Sequence, residues 1–600
     1  MTLVTIISKD KAFIPLLYHF KEEVKTHILI YDIGEEEIEI ALDTKEGLKR
    51  LSEIYNLNYE IKLMPLDEDS KKDFSKVYKK LKNFSNLALN VAEADSLLVI
   101  MMSAFIMQMN GKIFTYDKFD NTFNEIYNKK CMLKKAKNLK LNDYLTLLNY
   151  EIEDKKTAQD ILKYKNAVLE LFKNYPIFKN QRVLLKQNRL KSLYYKNLFK
   201  KAGVVINGKV NLQRLNGEIF EEYVFWNLYQ LDVDDIWLNV KIISEREGEE
   251  AIKNEFDILM IKDNKIYIVE CKFGNLAIKP DELIYKSDSL LSLFGEDTKG
   301  IIVYINDIKE KIESIKNSTL PQDVKKKKIF NLKKQQISKN LYIRALENNI
   351  LILHDSNPDF KKFFKVIKNK LGIKRRAFLL GGCDLEMAAI ARMLKKYNQI
   401  NFNKNLSWGA KLSNYEEMLQ KDYCFYAIEL KEDIAPPKCY KRIDHHDDLS
   451  NNSSSIEQVA KILGVELGNF EKAVALNDKG YIPLMKKHGL SENTIKHIRY
   501  LDRKFQGVSA EDEKNAENAI TNYKLFKGIK VYFTESEKFS PICDKINDDE
   551  YIIYNKKEAV YYGNRVLELA EKLKDYEIYY SKGFLGIISP DGLDLLISSL

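Results

Sequence analysis

Hydrophobic and polar residues alternate in two rhythms along the first 120 positions. Short apolar, β-branched runs at 4–8, 27–32, 59–65, 86–91 and 112–116 have the character of strands. Between them, 13–24, 45–55, 72–82 and 95–109 repeat their apolar residues at helical spacing. Strands alternating with helices predict a parallel sheet wrapped by helices, a Rossmann-like domain over residues 1–124. Sheets of this kind bind ligands at the carboxyl ends of their strands. From 125 to 210 the spacing turns helical, with many lysines and few strand signals, and predicts a helical connector.

A second unit is expected over 211–372. It opens with a helix through 229, followed by strands at 255–261 and 265–273, a helix near 283–294 and a strand at 300–304. A basic helical stretch, in which 325–328 are all lysine, precedes a further strand at 350–354. A third α/β unit, 373–524, begins with a strand at 377–380 and a helical pattern from 385 to 397. Residues 525–600 form a smaller mixed α/β tail, and no internal repeat is visible. The expected fold class is multidomain α/β.

Composition adds limits. Six hundred residues exceed one hydrophobic core and suggest about four domains of roughly 150 residues. With 45% hydrophobic and 30% charged residues the chain can bury real cores and stay in solution. A net charge of +9 over this length is a mild bias, compatible with local polyanion binding. Six cysteines without a CxxC pair argue against a disulfide scaffold and the usual zinc knuckles. The longest apolar run, 97–107, is too short for a bilayer, and no basic segment precedes an apolar stretch at the start. These features predict a cytoplasmic protein with no membrane partner.

The most informative pattern lies at 254–272. Asp263-Asn264 is a plausible two-residue turn between apolar strands. With that loop, opposed positions sum to 527, so Asp257 faces Glu270 and Lys272 lies two residues on, on the same sheet face. Two carboxylates about 4 Å apart repel by roughly 4 kcal/mol at an effective dielectric near 20. Such a pair requires a cation, a lysine or a proton, and a divalent ion on hard carboxylate oxygens meets that need. Glu-x-Lys alone means little, since 23–25, 60–62 and 153–155 match it as well. The upstream Asp and a helix carrying Glu221 make the difference.

Glu221 on a helix, Asp257 on a strand and then Glu270-Cys271-Lys272 resemble the PD-(D/E)xK nuclease family. The order of parts over about 1–355 is similar to CRISPR ancillary nucleases that join an N-terminal CARF sensor to such a nuclease. The resemblance implies catalytic roles for Glu221, Asp257, Glu270 and Lys272, with Mn²⁺ or Mg²⁺ held by Asp257 and Glu270. It also implies cleavage of DNA or RNA, a cyclic oligoadenylate ligand and a homodimer. Where that sensor family carries a glycine-rich, lysine-containing ligand loop, residues 90–96 read Asn-Val-Ala-Glu-Ala-Asp-Ser. Two acids in that loop would repel a polyphosphate.

A second constellation lies further on. Asp384 and Glu386 follow one strand, Glu429 ends another, His445 and His446 sit among Asp444, Asp447 and Asp448, and Asp478 follows. Acids at successive strand ends together with imidazole suit Mn²⁺ or Mg²⁺. These blocks, in this order, resemble the DHH phosphoesterase family. The resemblance implies Asp384, Glu386, Glu429, His445 and Asp478 as ligands of a two-metal site, His446 on the phosphate and Asp444 orienting an imidazole. It makes 525–600 a substrate-binding lid. The family's His four residues before the first Asp is Leu380 here, and Glu386 and Glu429 stand for aspartates.

The leading expectation is a metal-dependent nuclease of antiviral defence with a nucleotide-regulated sensor. One alternative is a DHH-type phosphodiesterase acting on short or cyclic oligonucleotides. Another is a nucleic-acid-binding scaffold with decayed sites, using the lysine-rich stretches 129–140, 325–328 and 374–376.

Overall fold

A computed structural model describes the chain except residues 92–95, 245–250, 275–279, 334–335, 408, 547 and 582. It divides into two compact α/β units, Met1–Ile373 and Lys374–Leu600.

The first unit opens with strands β1 (Thr2–Ile6), β2 (Thr26–Asp32), β3 (Glu60–Leu66), β4 (Leu87–Val91) and β5 (Lys112–Asp117). These run parallel in the order β3-β2-β1-β4-β5. The order reverses between β1 and β4, the position in the sheet at which folds of this kind bind ligands. Of the 90–96 stretch expected there, Glu93 and Asp95 lie outside the described residues. Asn90 is buried and donates to the Phe13 carbonyl at 3.1 Å.

The expected helical connector is corrected. Residues 125–210 do carry helices, but β6 (Thr122–Tyr127) and β7 (Lys130–Lys135) extend the first sheet as an antiparallel hairpin. Its turn places Asn128 and Lys129 at φ 47° and 62°, as a tight hairpin requires. Strand β8 (Glu151–Lys156) joins the second sheet instead. Both β7 and β8 are edge strands, solvent-facing and lysine-rich, so the apolar alternation that marks a buried strand is missing. A short hairpin, β9 (Val205–Ile206) with β10 (Lys209–Val210), follows.

The second sheet adds β11 (Asp235–Ser244), β12 (Ile252–Lys262), β13 (Lys265–Phe273), β14 (Lys299–Ile305) and β15 (Ile350–Asp355). Its order is β15-β14-β13-β12-β11-β8, with β13, β14 and β15 parallel and the rest antiparallel. One hydrophobic core joins the two sheets, from Leu3, Phe13 and Leu141 to Phe256, Ile268 and Ile302. A polar knot fastens the β12–β13 turn to the first sheet. The Asn264 amide donates to Asn121 Oδ1 at 2.9 Å and to the Lys137 carbonyl at 3.1 Å, and accepts the Leu139 amide at 2.7 Å.

The second unit holds a parallel sheet of β16 (Arg375–Leu380), β17 (Ile400–Asn403), β18 (Tyr423–Ile428) and β19 (Tyr440–Ile443), ordered β17-β16-β18-β19. A disulfide joins Cys424 on β18 to Cys439 just ahead of β19. The reading of the six cysteines missed this bridge, because a pair fifteen residues apart has no local motif. A mixed six-stranded sheet of β20 (Lys524–Phe526), β21 (Ile529–Phe533), β22 (Tyr551–Tyr554), β23 (Ala559–Tyr562), β24 (Ile578–Ser581) and β25 (Phe584–Ile587) completes the unit. No helix among the described residues is long and apolar enough to cross a membrane.

Candidate functional site

The β12–β13 hairpin turns at Asp263 and Asn264, both at positive φ (48° and 62°). Pairing runs from Lys262↔Lys265 to Ile258↔Val269, the register that this turn predicts. It brings Asp257, Glu270 and Lys272 together. Lys272 Nζ lies 2.8 Å from Glu270 Oε2 and 3.6 Å from Asp257 Oδ2, so one ammonium serves both carboxylates. Asp257 Oδ2 accepts a hydrogen bond from the Cys271 amide at 2.7 Å.

Glu221 reaches the patch from the helix Ile219–Leu228, which follows a π-turn over Arg214–Glu218. Its neighbour Glu222 is buried elsewhere, held by Arg214 through two bonds of 2.7 and 2.9 Å. That pair leaves Glu221 as the helix's acid on the site. Burial, then the Asp257 charge, pushes the Glu221 carboxyl up to about 8. Burial, then Glu270, pushes Asp257 up to about 6. Burial disfavours the Lys272 ammonium, but Asp257 and Glu270 outweigh it and raise its pKa. Excess negative charge is thus concentrated where a hard cation would relieve it.

Two members of this site escaped the sequence reading. The Asn239 amide sits between Glu221 and Lys156, its nitrogen 3.0 Å from Glu221 Oε2 and its oxygen 3.2 Å from Lys156 Nζ. A polar Asn inside the apolar run Trp237-Leu238-Asn239-Val240 was a usable signal. Lys156 had none.

In the second unit, parallel strands carry the acids to one end of the sheet. A Cβ on Gly381, just past β16, would lie 2.5 Å from the Ile428 and Glu429 carbonyl oxygens. Only glycine lets the two strand ends approach this closely. Glu429, just past β18, is held at φ 51°, an unusual conformation for a non-glycine residue. Asp478 lies in the helix Asn469–Lys487, immediately before a break at Gly480 and Tyr481.

Glu386, Glu429, His445 and Asp478 each offer one ligand atom to a group whose atoms all lie within 4.8 Å of one another. His445 Nε2 is 2.6 Å from Asp478 Oδ2, 3.5 Å from Glu429 Oε1 and 3.8 Å from Glu386 Oε2. These four atoms are buried and have no hydrogen-bond partner among the described residues. These atoms face one another around His445, and the set could hold a metal ion. Asp384 lies beside this set, its carboxyl pushed up by burial and then by the Glu429 and Asp478 charges. It caps the helix Leu385–Lys396, its Oδ1 accepting the Met387 amide at 2.7 Å.

Burial works against a charged His445 ring, but the adjoining Asp478, Glu386 and Glu429 carboxylates outweigh it and raise its pKa. Burial likewise works against ionised Glu429, yet His445 and His446 hold it well below the usual carboxylate range. Asp444 orients His446 rather than His445, through a 3.0 Å contact to Nδ1, and is itself held by Arg442 at 2.7 Å. The last sheet meets these loops twice. Tyr580 on β24 donates its amide to Asp447 at 3.0 Å, and Tyr481 packs its ring against Tyr562 and Phe584.

No curated protein matches the chain. Among solved structures it is similar to protein VC1899 from Vibrio cholerae, at 16% identity and a TM-score of 0.45, over 62% of this chain and 98% of that one. It is similar to Can2 from Sulfobacillus thermosulfidooxidans, solved in complex with cyclic tetra-adenylate, at 17% identity and a TM-score of 0.41, over 61% and 96%. A type III CRISPR defence DNA nuclease activated by cyclic oligoadenylate matches at 14% identity and a TM-score of 0.31, over 51% and 45%. Residues 209–318, which include Glu221, Asn239, Asp257, Glu270 and Lys272, match the family described as Card1-like, endonuclease domain.

Proposed function

We propose that the protein is a metal-dependent nuclease that cuts phosphodiester bonds of DNA or RNA in CRISPR-linked antiviral defence. The observation that carries this reading is the convergence of Asp257, Glu270 and Lys272 on one hairpin face beside Glu221, inside a segment that matches an endonuclease family. Asp257 and Glu270 would hold Mn²⁺ or Mg²⁺, which supplies Lewis-acid polarisation of the phosphodiester and activation of water. Lys272 would stabilise charge that develops on the phosphate. Glu221 would hold or accept a proton next to Asp257.

The reversal of strand order between β1 and β4 supports regulation by a nucleotide ligand, with a cyclic oligonucleotide as its class. The helix Ser96–Gln108 leaves Leu97, Ile100 and Met107 exposed along one side, which supports a homodimer formed through the first sheet.

A second reading concerns the second unit. The four orphaned atoms of Glu386, Glu429, His445 and Asp478 favour a DHH-type phosphodiesterase acting on short or cyclic oligonucleotides. The mixed oxygen and nitrogen donors suit Mn²⁺ better than Mg²⁺.

Labelled single- and double-stranded DNA and RNA, incubated with the full chain in Mn²⁺ or EDTA, test both readings. Cleavage in Mn²⁺ that disappears in Glu270→Ala, Lys272→Ala supports the first. Wild-type rates from that double variant would overturn it, provided that His445→Ala in the same background leaves them unchanged.

A further inference from the structure

Strand β8 pairs with β11 irregularly. Leu238 pairs with Lys156, but the next pair is Lys241 with Asp154, so three steps along β11 match two along β8. The extra residue makes a β-bulge, a feature often found beside active sites. Within it, Asn239 is held at φ 49°. Non-glycine residues reach this region only at a cost in backbone strain, and Asn is among those that tolerate it best.

The position explains the cost. In the β11–β12 register, Leu238 pairs with Ile258 and Val240 with Phe256, so Asn239 stands opposite Asp257. Its side chain then spans Glu221 and Lys156, at 3.0 and 3.2 Å. A neutral amide can donate to a carboxylate and accept from an ammonium at once. An aspartate there would repel Glu221, and an apolar residue would hold neither partner.

Lys156 pairs with no carboxylate among the described residues. It has three donors, of which the Asn239 oxygen occupies one. Lys272 is in a different situation, already engaged by Glu270 and Asp257. A phosphodiester approaching the Asp257 and Glu270 carboxylates meets like-charge repulsion. It needs a cation whose donors remain available.

We propose that Lys156 is a second cation of the nuclease site, binding a non-bridging phosphate oxygen of the nucleic-acid backbone, and that Asn239 is the positioning residue that aims it. This rests on the nuclease reading of the first unit. It enlarges the site beyond the hairpin and recruits the edge strand β8 into substrate binding.

Binding without cleavage separates the two. The full chain is titrated in EDTA against short fluorescein-labelled DNA and RNA, and anisotropy is read over a range of salt concentrations. Lys156→Ala should weaken binding about tenfold and lower the slope of log K against log salt by about one. Lys156→Arg should restore most of both. Asn239→Gly keeps the backbone conformation without the amide, and should weaken binding several-fold while leaving the melting temperature at or above the wild-type value. Unchanged affinity and slope in Lys156→Ala would overturn the proposal, while Glu270→Ala still reports on the nuclease reading by its loss of cleavage. A wild-type chain that cuts no nucleic acid in Mn²⁺ would remove the nuclease reading, and this proposal with it.

Discussion

The two units solve the same electrostatic problem with different counter-charges. Each gathers carboxylates at the end or edge of a sheet, in surroundings that disfavour bare negative charge. In the first unit the counter-charge is an ammonium, Lys272, shared by Asp257 and Glu270. In the second it is an imidazole, His445, set among Asp478, Glu429 and Glu386. An ammonium cannot become a metal ligand at neutral pH. An imidazole that gives up its proton becomes a ligand itself. The first arrangement is a carboxylate pair neutralised by an ammonium, and the second is a carboxylate cluster around an imidazole that could itself donate to a metal.

The largest expected effect breaks the first half of this comparison. Glu270→Ala or Lys272→Ala should lower metal-dependent cleavage at least ~10²-fold. Folding should survive, because removing one acid from a crowded patch relieves repulsion; thermal melts beside cleavage assays would show both. In the second unit, Asp478→Ala should reduce Mn²⁺ affinity by more than the ~10–100-fold that loss of an outer-shell partner costs. Calorimetry on the Glu270→Ala background reads that unit alone. Mn²⁺ affinity unchanged by Asp478→Ala would make the four-residue group an ion-pair cluster rather than a metal site.

A smaller effect concerns the scaffold of the second site. The Cys424–Cys439 bridge ties β18, which leads to Glu429, to the segment entering β19, which leads to His445. Reduction or Cys439→Ser should destabilise the second unit by about 3 kcal/mol, the value for a loop of this length. Denaturant titrations with and without reductant measure the difference.

A last effect, read only on acidification, sharpens the contrast between imidazoles. His27 on β2 is fully buried, has no hydrogen-bond partner among the described residues and meets the Tyr59 ring edge-on. Burial pushes its pKa down to about 3 from 6.5, opposite in direction to His445. Its contribution to stability is therefore complete above pH 6.5 and is lost as pH falls toward 3. The first unit should lose about 1.4 kcal/mol per pH unit from this group across that window, and His27→Phe should flatten the slope.

Legibility in the sequence followed burial and local chemistry. Strands β1, β2 and β4 were readable because their apolar runs are buried, and the hairpin register was readable because Asp263-Asn264 admits one turn geometry. Strand β8 was invisible because Glu-Ile-Glu-Asp-Lys-Lys has the polarity of a solvent-facing segment. It becomes a strand only through its partner β11, a tertiary effect that local propensity does not encode. An Asp ahead of an apolar helical run can cap the helix as well as serve a metal; Oδ1 of Asp384 accepts the Met387 amide, and the carboxyl also feels the charges of Glu429 and Asp478. The acids of the second cluster were legible as a set, whereas the engagement of Asp444 with His446 was settled by the loop's conformation.

The core shared by the two sheets of the first unit carries a consequence for how this protein folds. Leu3 and Ile352 belong to the same buried cluster, so the cluster is complete only after almost the whole unit has been synthesised. Sensor-like and nuclease-like halves of Met1–Ile373 should then unfold in one cooperative transition. High contact order makes their folding slow. A fragment cut between them should expose Phe256 and Ile268 on one side and Phe13 and Leu141 on the other, and aggregate rather than report the activity of a half.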